Sequence, residues 1–308
     1  MLKASLYHKP QEVVLYIVIH HVAVDGVSWN ILLMDLQRLL KQWNKGEVFS
    51  LIHNGSSYQS WALSQRTIKK IVSDTNSLIP TEKCIFETKV LDELITKRVF
   101  NDVVFPNHAK PIELLLTAFC MTVRSLGDRI NEDIQIEYER HGRSLEEAFS
   151  NEIQTVGWFT QICRLTSSIE FADSNSNLRT YFRKIKALYE ASEQFGDFTG
   201  GWNPTAARLN FLGDIRTDYN DFHLIPLYSF ERVSCLMEVD ALLIEDSLHI
   251  TLRLPERLSG QLHFTLHQLC ENLEKIVDYY TNNGESLLSI DDFKEVNLSD
   301  SEFESLFI

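Results

Sequence analysis

Apolar residues recur along the chain with two different periods, and the change from one to the other marks out the elements. An unbroken apolar run from Val13 to Ile19 predicts a buried strand, too short to cross a membrane. After it Trp29, Leu32, Leu33, Leu36, Leu39, Leu40 and Trp43 fall at three- and four-residue steps. That spacing predicts an amphipathic helix, with Ser28 as its cap and Gly46 as its stop. A second helix is predicted from Pro111, suited to a first turn, through Leu114, Leu115, Ala118 and Met121 to Gly127. Ile134, Ile136 and Tyr138 alternate with Gln135, Glu137 and Glu139, the pattern of a half-buried strand with its acids turned out.

Further on, Leu178 to Phe195 reads as helix. Leu248, Ile250, Leu252 and Leu254 alternate with polar residues and should pair with Met237–Leu242 across a turn at Glu245-Asp246. A last helix places Leu262, Leu266, Leu269, Leu273, Ile276 and Tyr280 on one face. The tail from Glu285 to Ile308 is rich in acids with a single lysine, Lys294, and reads as a polar linker. No internal repeat is evident, and strand-like and helix-like stretches alternate. An α/β or α+β sandwich is therefore expected rather than a bundle.

Composition narrows the function classes. At 44% hydrophobic and 23% charged, the 308 residues suit a soluble chain of one large or two ordinary domains. The net charge of −14 argues against a partner such as duplex nucleic acid, which needs a cationic face. Cys84, Cys120, Cys163, Cys235 and Cys270 are scattered, with no spacing for a metal or a disulfide framework, so a reducing, cytoplasmic setting is expected. No anchoring segment follows, and no membrane partner is expected. His263 and His267 stand four apart on the last helix, but no third ligand is suggested by spacing and no metal is assigned. Lys69-Lys70 and Arg183-Lys184 read as solvated helix faces. Trp29 and Trp61 read as packing residues.

The sharpest feature is HHVAVDG, residues 20–26, placed between the first strand and the first helix. Two histidines at a strand end suit an active-site loop, because imidazole accepts and returns a proton near neutral pH. Asp25 can orient that loop through a salt bridge or hydrogen bonds, and Gly26 permits a tight turn. On these residues alone, a pair of satisfied core histidines capping a strand fits equally well.

The wider sequence adds a resemblance. HHVAVDGVSW is similar to the His-His-x-x-x-Asp-Gly motif of condensation-type domains in nonribosomal peptide synthetases. Downstream segments resemble the epimerization branch: ELLLTAF at Glu113–Phe119, ERHGRS at Glu139–Ser144, TVGWFT at Thr155–Thr160 and LNFLGDI at Leu209–Ile215, in the family's order. Condensation domains proper usually carry an aliphatic residue where Trp158 stands and lack the Glu-x-His-Gly-Arg element. The tail, SLLSIDDFKEVNLSDSEFESL, is similar to the segment leading toward the next module. The resemblance runs from about Gln11 onward.

The resemblance implies a chloramphenicol-acetyltransferase-like fold of two lobes with a channel between them. Residues 1–75, with the HHVAVDG loop, would be the last part of the N-terminal lobe. Residues 76–284 would be the C-terminal lobe and 285–308 an acidic linker. A carrier domain would bring an aminoacyl or peptidyl thioester into the channel on its phosphopantetheine arm, with no cofactor bound directly. Neighbouring adenylation or condensation domains would be further partners.

Epimerization from L to D needs acid/base groups on both faces of Cα. The resemblance assigns His21 to one and Glu139, from the other lobe, to the other. His20, Asp25 and Gly26 would be structural. Trp158, Asn210 and Phe211 would line the channel. Only nineteen residues precede His20, where the family has most of a lobe. The arginine that pairs with the motif's aspartate would lie in that missing part, which leaves Asp25 an unpaired charge. Two alternatives follow: an amide-forming condensation domain with His21 as base, and an inactive remnant or docking module.

Overall fold

The computed structural model describes residues 2–51, 57–65, 82–107, 109–126, 136–140, 142–143, 155–165, 178–195, 207–215, 218–219, 222–223, 232–233 and 235–283. Lys69-Lys70, the acidic tail, Ile134 and Ser144 lie outside them. The chain divides into two units. The first takes Met1–Asp74, Glu139–Gln161 and Ile215–Pro226; the second takes Thr75–Tyr138, Ile162–Asp214 and Leu227–Ile308.

In the second unit the expected hairpin forms. Strands β10 (Met237–Ile244) and β11 (Ser247–Pro255) pair antiparallel, with Ile244 opposite Ser247 and Glu238 opposite Arg253. Glu245 and Asp246 both take positive φ, 46° and 62°, the pair of left-handed residues that matches a two-residue loop to strand twist. Around this hairpin the sheet continues through β3 (Glu82–Val90) to β9 (Arg232–Val233) on one side. On the other side lie β6 (Ala207–Ile215), β4 (Ile136–Arg140) and β5 (Gln161–Leu165), with β4 and β6 parallel.

One face of the sheet is apolar. Leu209, Val239, Ile250, Leu252 and Leu254 join a single core with α4 (Pro111–Ser125), α5 (Leu178–Phe195) and α6 (Leu262–Asn283). Pro111 holds the first turn of α4, as its sequence position predicts. Leu266, Leu269, Leu273, Ile276 and Tyr280 of α6 are buried as the periodicity requires. Cys120, Cys163, Cys235 and Cys270 are buried and Cys84 is half-buried. Among the described residues, no helix is long and apolar enough to cross a membrane.

The opposite face differs from expectation. The alternation around Tyr138 assigns Glu137 to solvent, yet Glu137 is 0% exposed. It accepts from Arg164 Nη2 at 2.9 Å and from Arg208 Nη2 at 3.2 Å. The series continues across the strands: Arg208 stands 3.9 Å from Glu238, Glu238 stands 3.5 Å from Arg253, and Arg253 donates to Asp240. Arginines and acids thus alternate over β5, β4, β6, β10 and β11. A strand periodicity of two distinguishes faces but not which of them is covered.

In the first unit β1 (Leu2–His8) and β2 (Val13–Ile19) form a two-stranded antiparallel sheet, with Leu2 opposite Ile19 and His8 opposite Val13. The strand over Val13–Ile19 is as expected, but its burial is not: Val13 is 56% and Val18 63% exposed. Among the described residues only β1 pairs with it, and no layer covers it. A helical turn at His21–Ala23 leads into α1 (Gly26–Lys45), which ends at Gly46, and α2 follows (Tyr58–Gln65). Strands β7 (Asp218–Tyr219) and β8 (Phe222–His223) make a small hairpin.

Two measurements follow from these buried charges. Removing one member of a buried ion pair leaves the other uncompensated, at a cost on the order of 3 kcal/mol. Glu137→Gln should therefore lower the urea midpoint while the slope of the transition stays unchanged. The second concerns Glu113, which is buried in α4, where its Oε2 accepts from the Lys110 amide at 3.0 Å. Burial pushes this carboxyl up to about 7, against the opposing influence of that amide and of Lys186. Below the usual carboxylate range both folded and unfolded chains hold the proton, and no stability is lost. As pH rises toward about 7, the folded chain keeps a proton that the unfolded chain has released, so stability falls with pH. Glu113→Gln removes that titration, so its melting temperature relative to the parent chain should climb from pH 5 to pH 8.

Candidate active site

Asp25 is the centre of the first unit. It is 3% exposed and caps α1 by accepting the Ser28 amide at Oδ1, 2.8 Å away. The cap is thus Asp25 rather than Ser28, whose hydroxyl turns inward instead. Ser28 Oγ lies 2.7 Å from Asp25 Oδ1 and 2.8 Å from the Gly157 carbonyl, either of which can take its proton. The Gly157 amide donates back to that Oγ at 3.0 Å.

The expectation that Asp25 lacks a partner is overturned. Arg143 Nη2 donates to Asp25 Oδ1 at 2.8 Å and to Oδ2 at 3.0 Å, with both side chains buried. Arg143 comes from the ERHGRS segment itself. Its Nη1 donates to the Thr155 carbonyl at 2.6 Å, and its guanidinium lies 4.0 Å above the Phe159 ring. The Phe159 amide completes the set with a 3.2 Å bond to Asp25 Oδ2. Gly142 makes this approach possible. Its φ is +57°, and a Cβ there would stand 2.1 Å from the Phe159 carbonyl oxygen.

The two histidines separate in role. His20 Nδ1 accepts the Val22 amide at 3.2 Å and so caps the turn over His21–Ala23, which leaves the neutral ring's proton on Nε2. His21 is exposed, and its ring meets the Trp158 indole edge-on at 6.1 Å between centroids. Trp158 is 37% exposed between buried Gly157 and Phe159. Gly26 takes the first position of α1 without a positive φ, so the tight turn expected there is not what it supplies.

Glu139 is half-buried and falls in the first unit with His21, although the resemblance draws it from the second lobe. Asn210 and Phe211 lie on β6 in the second unit, both half-buried, and Phe211 packs against the core there. Among the described residues no three His, Cys, Asp or Glu are grouped to hold a metal. His263 Nδ1 instead stands 2.8 Å from Glu87 Oε1. The sequence reading missed Arg143 as the partner of Asp25, and it missed Tyr58, whose hydroxyl donates to the Trp158 carbonyl at 2.7 Å. Tyr58 and Trp61, three apart at the start of α2, are the signal that was there to find; Trp61 packs as expected, against Tyr58 and Phe159.

Residues 1–73, which include the histidine turn, match the family described as Condensation domain. The solved epimerization domain from the third module of tyrocidine synthetase B superposes with a TM-score of 0.73 at 20% identity, over 92% of this chain and 73% of that one. The first condensation domain of the calcium-dependent antibiotic synthetase gives a TM-score of 0.67 at 11% identity, over 93% of this chain and 68% of that one. This chain shares the fold of these condensation-type domains.

Among curated relatives, bacitracin synthase 3 of Bacillus licheniformis is 28% identical over 336 aligned positions, covering 95% of this chain and 5% of its own length. Surfactin synthase subunit 2 of Bacillus subtilis (strain 168) is 28% identical over 253 positions, covering 71% of this chain and 7% of its own length. The chain thus spans a small part of these relatives. The resemblance to condensation-type domains of nonribosomal peptide synthetases, drawn from HHVAVDG and the motifs after it, is borne out.

The condensation-domain fold here hangs the histidine turn on a buried charge, which makes a stability prediction. Lysine cannot span two carboxylate oxygens and the Thr155 carbonyl as the Arg143 fork does. Arg143→Lys and Asp25→Asn should each cost on the order of 3 kcal/mol. The double variant should lose much less than the sum of the two, as read by thermal unfolding.

Proposed function

We propose that this chain inverts, from L to D, the α-carbon of an aminoacyl or peptidyl thioester tethered to a carrier domain's phosphopantetheine arm, as one part of a larger nonribosomal peptide synthetase. The reading rests chiefly on an exposed imidazole, His21, held on a turn whose neighbours are anchored by the buried Asp25–Arg143 pair. Its closer likeness to the tyrocidine synthetase epimerization domain than to the antibiotic synthetase condensation domain supports the choice of reaction.

In this reaction one group takes the Cα proton and the electron pair moves into the thioester carbonyl, giving an enolate. The other group then gives a proton to the opposite face of the same carbon. His21 and Glu139 are assigned these two roles and exchange them in the reverse direction. A thioester α-proton is only weakly acidic, so the gain comes from placing both groups on one carbon. Trp158 beside His21 would shield that ring's approach from water. Asn210 and Phe211 as channel residues, and the division at residues 75/76 and 284/285, rest on the resemblance.

Amide formation with His21 as base is the second reading, favoured by the match of residues 1–73 to the Condensation domain family. A carrier-docking role without chemistry is the third. Solvent deuterium separates them. For an epimerase, label enters Cα of the carrier-bound substrate, and His21→Asn and Glu139→Gln each cut L-to-D conversion by ~10²–10⁴-fold. In the amide-forming case only the His21 substitution matters and Cα takes up no label. Carrier binding without either reaction would leave the docking role.

A further inference from the structure

Tyr58 touches three consecutive residues of the TVGWFT segment, one with its hydroxyl and two with its ring. Its hydroxyl donates to the Trp158 carbonyl at 2.7 Å. Its ring fills the place of a side chain at position 157, where a Cβ would come within 2.3 Å of Tyr58 Cδ2. The same ring meets Phe159 edge-on at 5.1 Å, and Trp61 stacks behind it at 5.4 Å. From the other side, Ser28 and Asp25 hold the amides of Gly157 and Phe159. The backbone of residues 157–159 is therefore gripped from both α1 and α2, and the alternation of burial turns Trp158 outward between its buried neighbours.

That outward indole is what limits the His21 ring, which makes no side-chain hydrogen bond of its own among the described residues. Among the same residues, the hydrogen bond to the Trp158 carbonyl comes from Tyr58. We propose that Tyr58 is a positioning residue: its hydroxyl and ring fix the Trp158 indole against His21 and so set the direction in which that imidazole faces the substrate carbon. The last clause rests on the acid/base reading of His21; the first does not.

The test uses the full chain with carbon-13-labelled histidine, the His21 signals being assigned through His21→Asn. An indole edge-on to an imidazole shifts its ring protons, so Trp158→Ala moves them and marks the displaced state. Tyr58→Phe, which keeps the ring and loses the hydroxyl, should move the His21 ring-proton signals toward their positions in Trp158→Ala while the other histidines keep theirs. A folded Tyr58→Phe chain with unmoved His21 signals overturns the proposal. Should that variant not fold, Gly157→Ala displaces the Tyr58 ring and must produce the same movement; unmoved signals there also overturn it. In the exchange assay Tyr58→Phe should lower kcat by up to about 10²-fold, the cost of roughly an ångström of misplacement, with KM for the carrier-bound substrate unchanged. A change confined to KM would overturn the positioning role. Movement of the His21 signals in Tyr58→Phe, with a parent chain that exchanges no α-proton, would uphold the clamp and sink the acid/base reading instead.

Discussion

A carboxylate with almost no solvent exposure is tenable only when its charge is matched and its lone pairs are filled. Asp25 meets both demands through Arg143, the Ser28 amide and hydroxyl, and the Phe159 amide. Because these donors come from segments more than a hundred residues apart, neutralising one charge also ties the start of α1 to residues 143 and 157–159. The histidine turn ends where that tie begins. Whatever holds Asp25 in place also holds the start of α1, directly after the histidine turn.

The second unit handles buried charge differently. Its sheet has one apolar face packed on three helices and an opposite face where arginines and acids alternate from β5 to β11. A row of this kind adds little net stability over an apolar equivalent, but each member is costly to lose. We read it as a device for pairing: shifting any strand by one residue would bury like charges together or carry Glu137 into the apolar core. Glu113 belongs to neither group. It is a helix-cap carboxyl drawn into the core by α4, and its raised pKa is the consequence.

The polar side chains of HHVAVDG differ in what they hold. His20 and Asp25 spend their polar atoms on the backbone and on Arg143, whereas His21 keeps its imidazole nitrogens uncommitted among the described residues and rests on an aromatic edge. Tyr58, Trp61 and Phe159 form one aromatic group, which the Tyr58 hydroxyl ties to the Trp158 carbonyl.

The elements themselves were legible in the periodicity. Helices at Gly26–Lys45, Pro111–Ser125, Leu178–Phe195 and Leu262–Asn283 and the Glu245-Asp246 hairpin follow from local spacing, caps and turn residues, which act within a few positions. HHVAVDG and its companion motifs pointed to the condensation-domain fold for the same reason, since each is a short local string. Pairings across the fold were not legible. Nothing near Asp25 in sequence names Arg143, because an ion pair depends on distance in space. Burial was decided the same way. Val13–Ile19 looks like core but is largely exposed, with only β1 beside it among the described residues, while Glu137 looks like surface but is enclosed between two arginines. A residue's period tells which way it points; only the packed neighbours determine whether water is there.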